Sequence, residues 1–197
     1  MLKLWKGIFG GLILVTLATL AWWHFAPYNF HGMVIQSPEP VPDFTLTSKN
    51  GPVSLSDFRG KYVLLYFGYT FCPDVCPATL ANIAQALKQV GKGRERIQVI
   101  MVSVDPERDT PQKISEYVAH FDPSFIGLSG DPQEIARIAS LYGIFYEKQK
   151  VEGAAGYLVT HTASVQVIDP GGRLRLIWPF GLTPDEIADD LRRILRR

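Results

Sequence analysis

The sequence Tyr62–Pro77, YVLLYFGYTFCPDVCP, decides the fold, because a continuous apolar run leads directly into a pair of cysteines. A run of this length without polar alternation predicts a strand buried on both faces, as in the centre of a parallel sheet. Pro77 favours the first turn of a helix, which we expect to continue to about Val90. Ligand sites of open α/β sheets lie at the carboxyl ends of strands. Cys72 and Cys76 therefore stand where such a site is expected.

Strands and helices alternate through the rest of the chain. A second buried strand is predicted at Ile97–Val104, and the turn signal at residues 169–172, DPGG, predicts a hairpin between two later strands. The other predicted elements are strands near 44–46, 53–54, 125–128, 163–168 and 174–178, and helices at 111–120, at 131–142 and from Pro184. Thr110 and Thr183 precede two of these helices as caps. The pattern predicts one α/β domain with a mixed sheet flanked by helices.

The composition excludes several classes of protein. The chain has 197 residues, 47% of them hydrophobic, with a formal net charge of +1. This content argues against intrinsic disorder, and the charge balance gives no sign of the basic stripe of a nucleic-acid binder. Two cysteines cannot form a disulfide-rich scaffold or a four-cysteine zinc site. They can form one disulfide, one redox pair, or two ligands of a metal.

The N-terminus predicts a membrane anchor. No formally charged residue occurs in the run Gly7–Phe25, which at about 1.5 Å per residue nearly spans a bilayer core of about 30 Å. Lys3 and Lys6 before the run predict a cytoplasmic N-terminus, and the rest of the chain would then lie on the periplasmic or extracytoplasmic side of a cytoplasmic (inner) membrane. We therefore predict an anchor over residues 1–25, a proline-rich tether over 26–42 and a domain over 43–197. A cleaved signal peptide is the alternative, and it too exports the domain.

The spacing of the cysteines bears on their chemistry. Cys72 and Cys76 are four residues apart at the start of a predicted helix, which can place both sulfurs on one side. A helix N-terminus also favours the thiolate, which is both a nucleophile and a metal ligand. A purely structural disulfide is an alternative, but its short loop would add little constraint to the unfolded chain. Asp74 between them offers a carboxylate, although we favour a solvated surface role for it.

A third ligand has one main candidate among the histidines. His24 and His31 fall in the predicted anchor and tether, and His120 closes a predicted helix, where a cation is favourable. His161 stands just before the predicted strand at 163–168, at the edge of the sheet, and the predicted topology can bring this edge close to the strand end that carries the cysteines. Two soft thiolates with one imidazole suit copper, and Cu(I) especially, whereas structural zinc prefers four ligands. A lone histidine is nevertheless more often structural than ligating.

Taken together, these motifs resemble the Sco/SenC family. The resemblance rests on the anchor and tether, the segment 67–77 (FGYTFCPDVCP), the segment 103–111 (SVDPERDTP), and His161 before a strand ending in residues 169–172. Proteins of this family are membrane-anchored copper proteins with a thioredoxin-like fold. The resemblance covers nearly the whole chain, and although a C-x3-C spacing alone is weak, its combination with the later motifs is specific. Thr160 departs from the family pattern, which commonly has an acidic residue immediately before the histidine.

The resemblance implies a metallochaperone. Cys72, Cys76 and His161 would bind one copper ion, as Cu(I) or in some states Cu(II). The protein would deliver it to the dinuclear copper (CuA) site of cytochrome c oxidase subunit II, and an upstream copper donor and a thiol reductant would be further partners. Oxidation of the cysteine pair to a disulfide would abolish binding. We expect no catalytic residue if this hypothesis holds.

Two alternatives share the same residues. The first is a thiol-disulfide oxidoreductase, with Cys72 and Cys76 as a redox-active pair that reduces the recipient's cysteines; its usual spacing, however, is C-x-x-C. The second is a copper- or redox-sensing module. For the segment 105–109 we favour a structural role, in which Asp109 caps a helix and Arg108 forms a local ion pair, over a role in partner recognition.

Overall fold

A computed structural model describes Thr16, residues 28–152 and residues 156–196. Its strands in chain order are β1 (Met33–Val34), β2 (Thr45–Ser48), β3 (Gly51–Ser54), β4 (Tyr62–Gly68), β5 (Ile97–Ser103), β6 (Ile126–Leu128), β7 (Tyr146–Lys150), β8 (Tyr157–His161), β9 (Val165–Ile168) and β10 (Leu174–Trp178). Its α-helices are α1 (Val75–Val90), α2 (Pro111–Ala119), α3 (Pro132–Leu141) and α4 (Pro184–Leu195). Two short 3-10 helices occupy Leu55–Phe58 and Gly91–Arg96.

A six-stranded mixed sheet forms the centre of the molecule. The strand order is β1-β10-β9-β4-β5-β6, and two hairpins, β2–β3 and β7–β8, form separate two-stranded sheets. Strands β4, β5 and β6 are parallel, whereas β9, β10 and β1 are antiparallel to their neighbours. The predicted α/β class with a mixed sheet is confirmed, and the fold is thioredoxin-like.

Strand β4 is the centre of the core. All seven of its residues are buried, and it is hydrogen-bonded to β5 on one side and to β9 on the other. Tyr66, Phe67 and Trp178 are among the largest side chains that are fully buried. The apolar run therefore forms a strand covered on both faces, as its composition predicts.

The helix boundaries follow the predicted capping residues. The Thr110 side chain accepts a hydrogen bond from the Lys113 N–H at the start of α2, and Thr183 and Glu186 form a capping box at the start of α4. Helices α1 and α4 pack against each other. Helix α1 begins at Val75, two residues before the predicted start at Pro77.

The sequence pattern missed two features of the fold. The hairpin β7–β8 was not predicted, because β7 reads YEKQK and is exposed at four of its five positions, so it carries no apolar alternation. The short edge strand β1 falls in the predicted tether and pairs with β10. Both segments owe their conformation to neighbouring parts of the fold, and local sequence patterns do not record such contacts.

Residues 28–42 lie along the domain. Buried Asp190 accepts hydrogen bonds from the Tyr28 hydroxyl (3.0 Å), the His31 amide (3.0 Å) and the Gly32 amide (3.2 Å). Farther on, the Val41 amide donates to the Gly172 carbonyl at 2.9 Å. The described part of the segment predicted as a tether is thus attached to the domain.

The predicted anchor lies outside the described residues, apart from Thr16. Within the part of the chain that is described, no helix combines the length and apolar character needed to cross a membrane.

Candidate metal centre

The two cysteines lie where the chain leaves β4 and enters α1. The Cys76 amide donates a hydrogen bond to the Cys72 Sγ at 3.3 Å. The first N–H groups of a helix lack partners within the helix, and here the Cys72 sulfur satisfies one of them. This interaction explains why α1 begins at Val75 rather than at Pro77. Both cysteines are free; Cys72 is half-buried and Cys76 is buried.

Gly68, the last residue of β4, makes room for the Cys76 sulfur. A Cβ atom added at Gly68 would lie 2.8 Å from Cys76 Sγ and 2.9 Å from Met101 Cε. Such distances are shorter than carbon atoms tolerate, so any larger side chain would displace the sulfur. Gly68 was not singled out from the sequence, although its place at the end of the buried run was the available signal.

His161 meets the cysteines from a different part of the fold. Its Nε2 atom lies 3.3 Å from Cys76 Sγ. The Sγ atoms of Cys72 and Cys76 and a ring nitrogen of His161 all lie within 4.8 Å of one another. The predicted approach of His161 to the cysteines is thus observed. His161 is the last residue of β8, a strand that the sequence pattern did not predict.

Both ring nitrogens of His161 have a partner. Its Nδ1 atom lies 3.2 Å from the Thr162 carbonyl oxygen. A carbonyl only accepts, so this contact is a hydrogen bond when Nδ1 carries the proton. Nε2 then has a lone pair toward the sulfurs, whereas a hydrogen bond from His161 to a cysteine sulfur requires the proton on Nε2. The rings of Tyr66 and Tyr69 pack edge-on against the imidazole, with centroids at 6.0 and 5.8 Å. These contacts on several sides therefore fix the orientation of the imidazole ring.

The two thiols differ in acidity. A hydrogen bond from the Cys76 side chain is the largest cause that lowers the pKa of Cys72 to about 4; partial burial opposes it, and smaller contributions from the His161 side chain and from backbone hydrogen bonds lower the pKa further. The same pairing with Cys72, followed by burial, raises the pKa of Cys76 well above its usual range. At neutral pH the pair therefore holds one thiolate, on Cys72, and one thiol, on Cys76. A soft anionic donor is thus available before any metal arrives.

Two tyrosines support the site and were missed by the sequence analysis. The Tyr66 hydroxyl donates to Cys76 Sγ at 3.4 Å. The Tyr69 hydroxyl accepts a hydrogen bond from the Val159 amide of β8 at 3.2 Å. Burial raises the pKa of both phenols, so both remain protonated. Tyr66 contacts the cysteine side of the site, and Tyr69 joins β4 to the strand that carries His161.

The segment 103–110 connects both halves of the site. Asp109 is fully buried and accepts hydrogen bonds from the Thr70 amide (2.9 Å) and the Thr70 hydroxyl, close to Cys72. Asp105 is also fully buried and accepts from the Tyr157 hydroxyl of β8 at 2.8 Å. The predicted local pair of Arg108 with Asp105 is observed. The cap of α2, however, is Thr110 alone; Asp109 instead fixes the chain before the cysteines.

Arg108 adds a second contact to the hairpin. Its Nη1 donates to the Tyr157 carbonyl at 3.1 Å, and its guanidinium carbon lies 3.7 Å from the centroid of the Tyr157 ring. The same group lies 4.7 Å from the centroid of Phe71, the exposed residue that precedes Cys72. Stacking on both rings places Arg108 between the cysteine segment and the histidine strand.

Asp74 and Thr160 lie beside the site, whereas the other described histidines lie elsewhere in the fold. A cleft of about 290 Å³ opens beside Cys72 and His161 and is lined also by Asp74 and Thr160, both of which are exposed. His120 closes α2, as predicted, with its Nδ1 2.7 Å from the Glu116 carbonyl. His31 lies beside Glu186. His24 lies outside the described residues.

Comparison with known proteins identifies relatives along most of the chain. Residues 34–196 match the SCO1/SenC family model. The "Protein SCO2 homolog, mitochondrial" of Bos taurus is 34% identical over 154 residues, which cover 77% of this chain and 58% of the bovine protein. The matched region thus spans little more than half of that relative.

Solved structures of similar sequence share the fold. The apo Sco1 protein from Thermus thermophilus is 44% identical, with a TM-score of 0.73, and the match covers 87% of this chain and 98% of that one. The structure of Bradyrhizobium japonicum ScoI with copper bound is 40% identical, with a TM-score of 0.71, over 79% of this chain and 99% of that one.

Proposed function

Because this chain belongs to the SCO1/SenC family, we propose that it binds one copper ion through Cys72, Cys76 and His161 and passes it on as cargo. One observation carries the proposal: three ligand atoms from two separate elements lie within 4.8 Å of one another. The copper-bound relative from Bradyrhizobium japonicum supports the choice of metal.

The donor set suits Cu(I). Thiolate is the soft ligand that Cu(I) prefers, and the low pKa of Cys72 provides one without competition from protons near neutral pH. Cys76 loses its proton when the metal binds, as coordinating thiols do. The Nε2 lone pair of His161 completes a three-ligand set, and its oriented ring reduces the entropy lost on binding. Cu(II) bound through the same residues is the alternative form.

Delivery would proceed by ligand exchange. Cys72 is half-buried and lines an open cleft, so a thiolate of the recipient can approach the metal from that side. As each recipient thiolate binds, one ligand of this chain is released, so the metal is never without ligands. The proposed recipient is the CuA site of cytochrome c oxidase subunit II, as the family resemblance implies. An upstream copper donor would load the site, and a thiol reductant would keep both cysteines reduced.

The sequence supports a location at the membrane. We propose that residues 1–25 anchor the chain in the cytoplasmic membrane, with residues 26–42 leading to a domain over 43–197 on the periplasmic or extracytoplasmic side. The uncharged run Gly7–Phe25 supports the anchor. Lys3 and Lys6 support the orientation.

A thiol-disulfide reductase is the second candidate, and the acidity of the thiol pair favours it. The Cys72 thiolate would attack a disulfide of the recipient and form a mixed disulfide, releasing one recipient thiolate. Cys76, after losing its proton, would attack Cys72, forming the Cys72–Cys76 disulfide and releasing the second recipient thiolate. His161 is not required for these steps.

The deciding experiment uses the full chain in detergent, reduced and anaerobic. Cu(I) is titrated against a chromogenic chelator, and turnover of a disulfide substrate is measured on the same preparation. We expect one copper per chain and negligible turnover. Rapid turnover that His161→Ala leaves unchanged, together with weak copper binding, would instead identify a reductase. A purified CuA domain of subunit II then tests delivery, through appearance of its absorption spectrum.

A further inference from the structure

Basic side chains collect at the end of the sheet opposite the metal centre. Strands β4 and β5 are parallel, so their first residues, Tyr62 and Ile97, share the edge opposite Gly68 and Ser103. Four segments meet at this edge, and we call them together the basal face: residues 57–61, 91–96, 169–175 and 192–196. Within these segments basic residues outnumber acidic ones by about three to one.

Direct contacts hold the segments of the basal face together. The Arg96 guanidinium donates to the Leu195 carbonyl at 2.9 Å, which joins the second 3-10 helix to the end of α4. The Tyr62 hydroxyl donates to the Ile194 carbonyl at 3.0 Å. The Gly60 amide donates to the Pro170 carbonyl at 3.0 Å. The charges on these segments therefore belong to one surface.

The basic charge of this surface is only partly neutralised. Arg94 pairs with Asp122, Arg175 with Asp169, and Arg192 with Asp189. Three further cations, Lys61, Lys92 and Arg196, are exposed and form no ion pair among the described residues. Near the cleft the charges are mixed, because Glu107 pairs with Lys148 and the exposed residues include both Lys150 and the acidic Asp74, Glu147 and Glu152.

The N-terminal segment reaches the domain at the basal face. The guanidinium carbon of Arg193 lies 5.7 Å from the centroid of the Tyr28 ring, and the Tyr28 hydroxyl is bound to Asp190. Phe30 lines a cavity of about 230 Å³ together with Tyr62 and Ile194. The chain is therefore fixed to this end of the domain from Tyr28 onward.

The distance to the proposed anchor is short. The apolar run ends at Phe25, three residues before Tyr28, and three extended residues reach about 10 Å. The Debye length at physiological ionic strength is about 8 Å, so cations of the basal face sense an anionic headgroup layer when the chain holds them closer than this maximum reach. The negative potential of such a surface attracts cations that lie near it.

We propose that the basal face docks on the anionic surface of the membrane, with the metal centre directed away from the bilayer. This proposal rests on the anchor of the proposed function. Docking would replace a freely rotating domain by one orientation, in which the cleft beside Cys72 and His161 is presented to partners that project from the same membrane. The occupant is the anionic lipid surface, because the basal face is basic and the chain enters the domain beside it.

The test uses the full chain in nanodiscs of phosphatidylcholine alone or mixed with phosphatidylglycerol. Amide hydrogen exchange is followed over residues 91–96 and 192–196, with residues 62–68 as an internal reference. We expect exchange in the basal segments to slow several-fold with phosphatidylglycerol, and this difference to disappear at high salt. One cation near an anionic surface is worth about a fivefold change in equilibrium. The double variant K92E/R196E should therefore abolish the difference.

A matched variant controls for net charge. R137E/K150E makes the same change in charge at exposed positions outside the basal face, and it should retain the wild-type response. Equal exchange in both lipids, or equal loss in both variants, would overturn the proposal, as would protection that appears only when an acidic protein is added. Resistance to alkaline carbonate extraction and copper stoichiometry are measured on the same samples. A chain that inserts and binds copper without lipid-dependent exchange refutes docking alone, whereas one that fails to insert refutes the anchor and docking together.

Discussion

The two sides of the metal centre are built differently. Cys72 and Cys76 follow β4, which is buried at every position and hydrogen-bonded on both sides. His161 ends β8, which pairs only with the largely exposed β7 among the described strands. The cysteine side is therefore part of the core, whereas the histidine side is an attached hairpin.

The hairpin is attached mainly through side chains. The Tyr157 hydroxyl binds Asp105, the Arg108 guanidinium binds the Tyr157 carbonyl, and the Val159 amide binds the Tyr69 hydroxyl. Segments held by few contacts open at a lower free energy than core strands do. The comparison teaches that the proposed site combines two ligands fixed by the core with a third on a hairpin held by fewer contacts. Such an arrangement suits the proposed function, in which the protein both retains and releases copper.

The largest effect is expected on the cysteine side. Cys72→Ala or Cys76→Ala removes one of two soft donors and should lower Cu(I) affinity by at least about a thousandfold. Chelator competition under anaerobic conditions measures this loss, and circular dichroism verifies the fold. Affinity within tenfold of wild type in either variant would show that the cysteines do not form the main part of the site.

The pH dependence of thiol reactivity tests the same side without metal. Because the pKa of Cys72 is lowered to about 4, its thiolate is fully present above that pH and is lost only as the pH falls through 4. An ordinary thiol with a pKa of about 8.5 loses tenfold in thiolate per pH unit below that value. We expect iodoacetamide to modify Cys72 at a nearly constant rate from pH 5 to pH 8. Mass spectrometry of modified peptides should show Cys76 unreacted.

Removing the Cys76 thiol should change the pH dependence of the alkylation rate of Cys72. In Cys76→Ala the largest cause of the low pKa is absent, so the alkylation rate of Cys72 should again rise with pH across the neutral range. His161→Ala should also raise the pKa of Cys72, but by less than Cys76→Ala does, because the contribution of His161 to the low pKa is smaller than that of Cys76. A flat profile in both variants would mean that neither group controls the acidity of Cys72.

The sequence predicted one side of this comparison better than the other. The apolar run, the helix after it and the cysteines are local features, and their placement was predicted to within two residues. The approach of His161 to the cysteines was expected from topology, and it is observed. Its strand, β8, was not predicted, because the partner strand β7 reads YEKQK and gives no pattern typical of a buried strand. The copper ligands themselves stay a prediction.

Interactions between residues far apart in the chain could not be predicted from the sequence. Asp109 was expected to cap a helix, and it instead binds Thr70, 39 residues earlier. Tyr157 and Asp105 are 52 residues apart, and no pattern in either segment indicates their hydrogen bond. Buried polar groups require partners, so a carboxylate in a buried turn is a signal that a partner exists, but not which residue it is.

Loss of the histidine should have an intermediate effect. Structural metal sites with four ligands bind with about 10–16 kcal/mol, so one ligand of that kind contributes about 3 kcal/mol, or roughly a hundredfold in affinity. His161→Ala should therefore weaken Cu(I) binding by about that factor while the two thiolates still retain one ion. The same chelator competition measures it. A loss as large as in the cysteine variants would erase the distinction between the two sides.

The smallest effect is expected from loosening the hairpin while leaving every ligand in place. Tyr157→Phe removes the hydroxyl that donates to Asp105 at 2.8 Å. Asp105 keeps its pair with Arg108, so no buried carboxylate is left without a partner. The change should therefore lower the free energy of opening the hairpin by about 1 kcal/mol. That value corresponds to about fivefold faster amide exchange in β8 and about fivefold faster transfer of Cu(I) to a chelator.

The matched control for this variant is Tyr146→Phe, which removes a hydroxyl from the other strand of the hairpin and leaves the contact with Asp105 intact. Exchange in β4 should be unchanged in both variants, because that strand is held from both sides. Faster exchange in β8 without faster copper transfer would show that hairpin opening is not the step that releases the metal. Equal acceleration of β4 and β8 would mean that the hairpin opens only with the core, and the two sides of the site would then act as one unit.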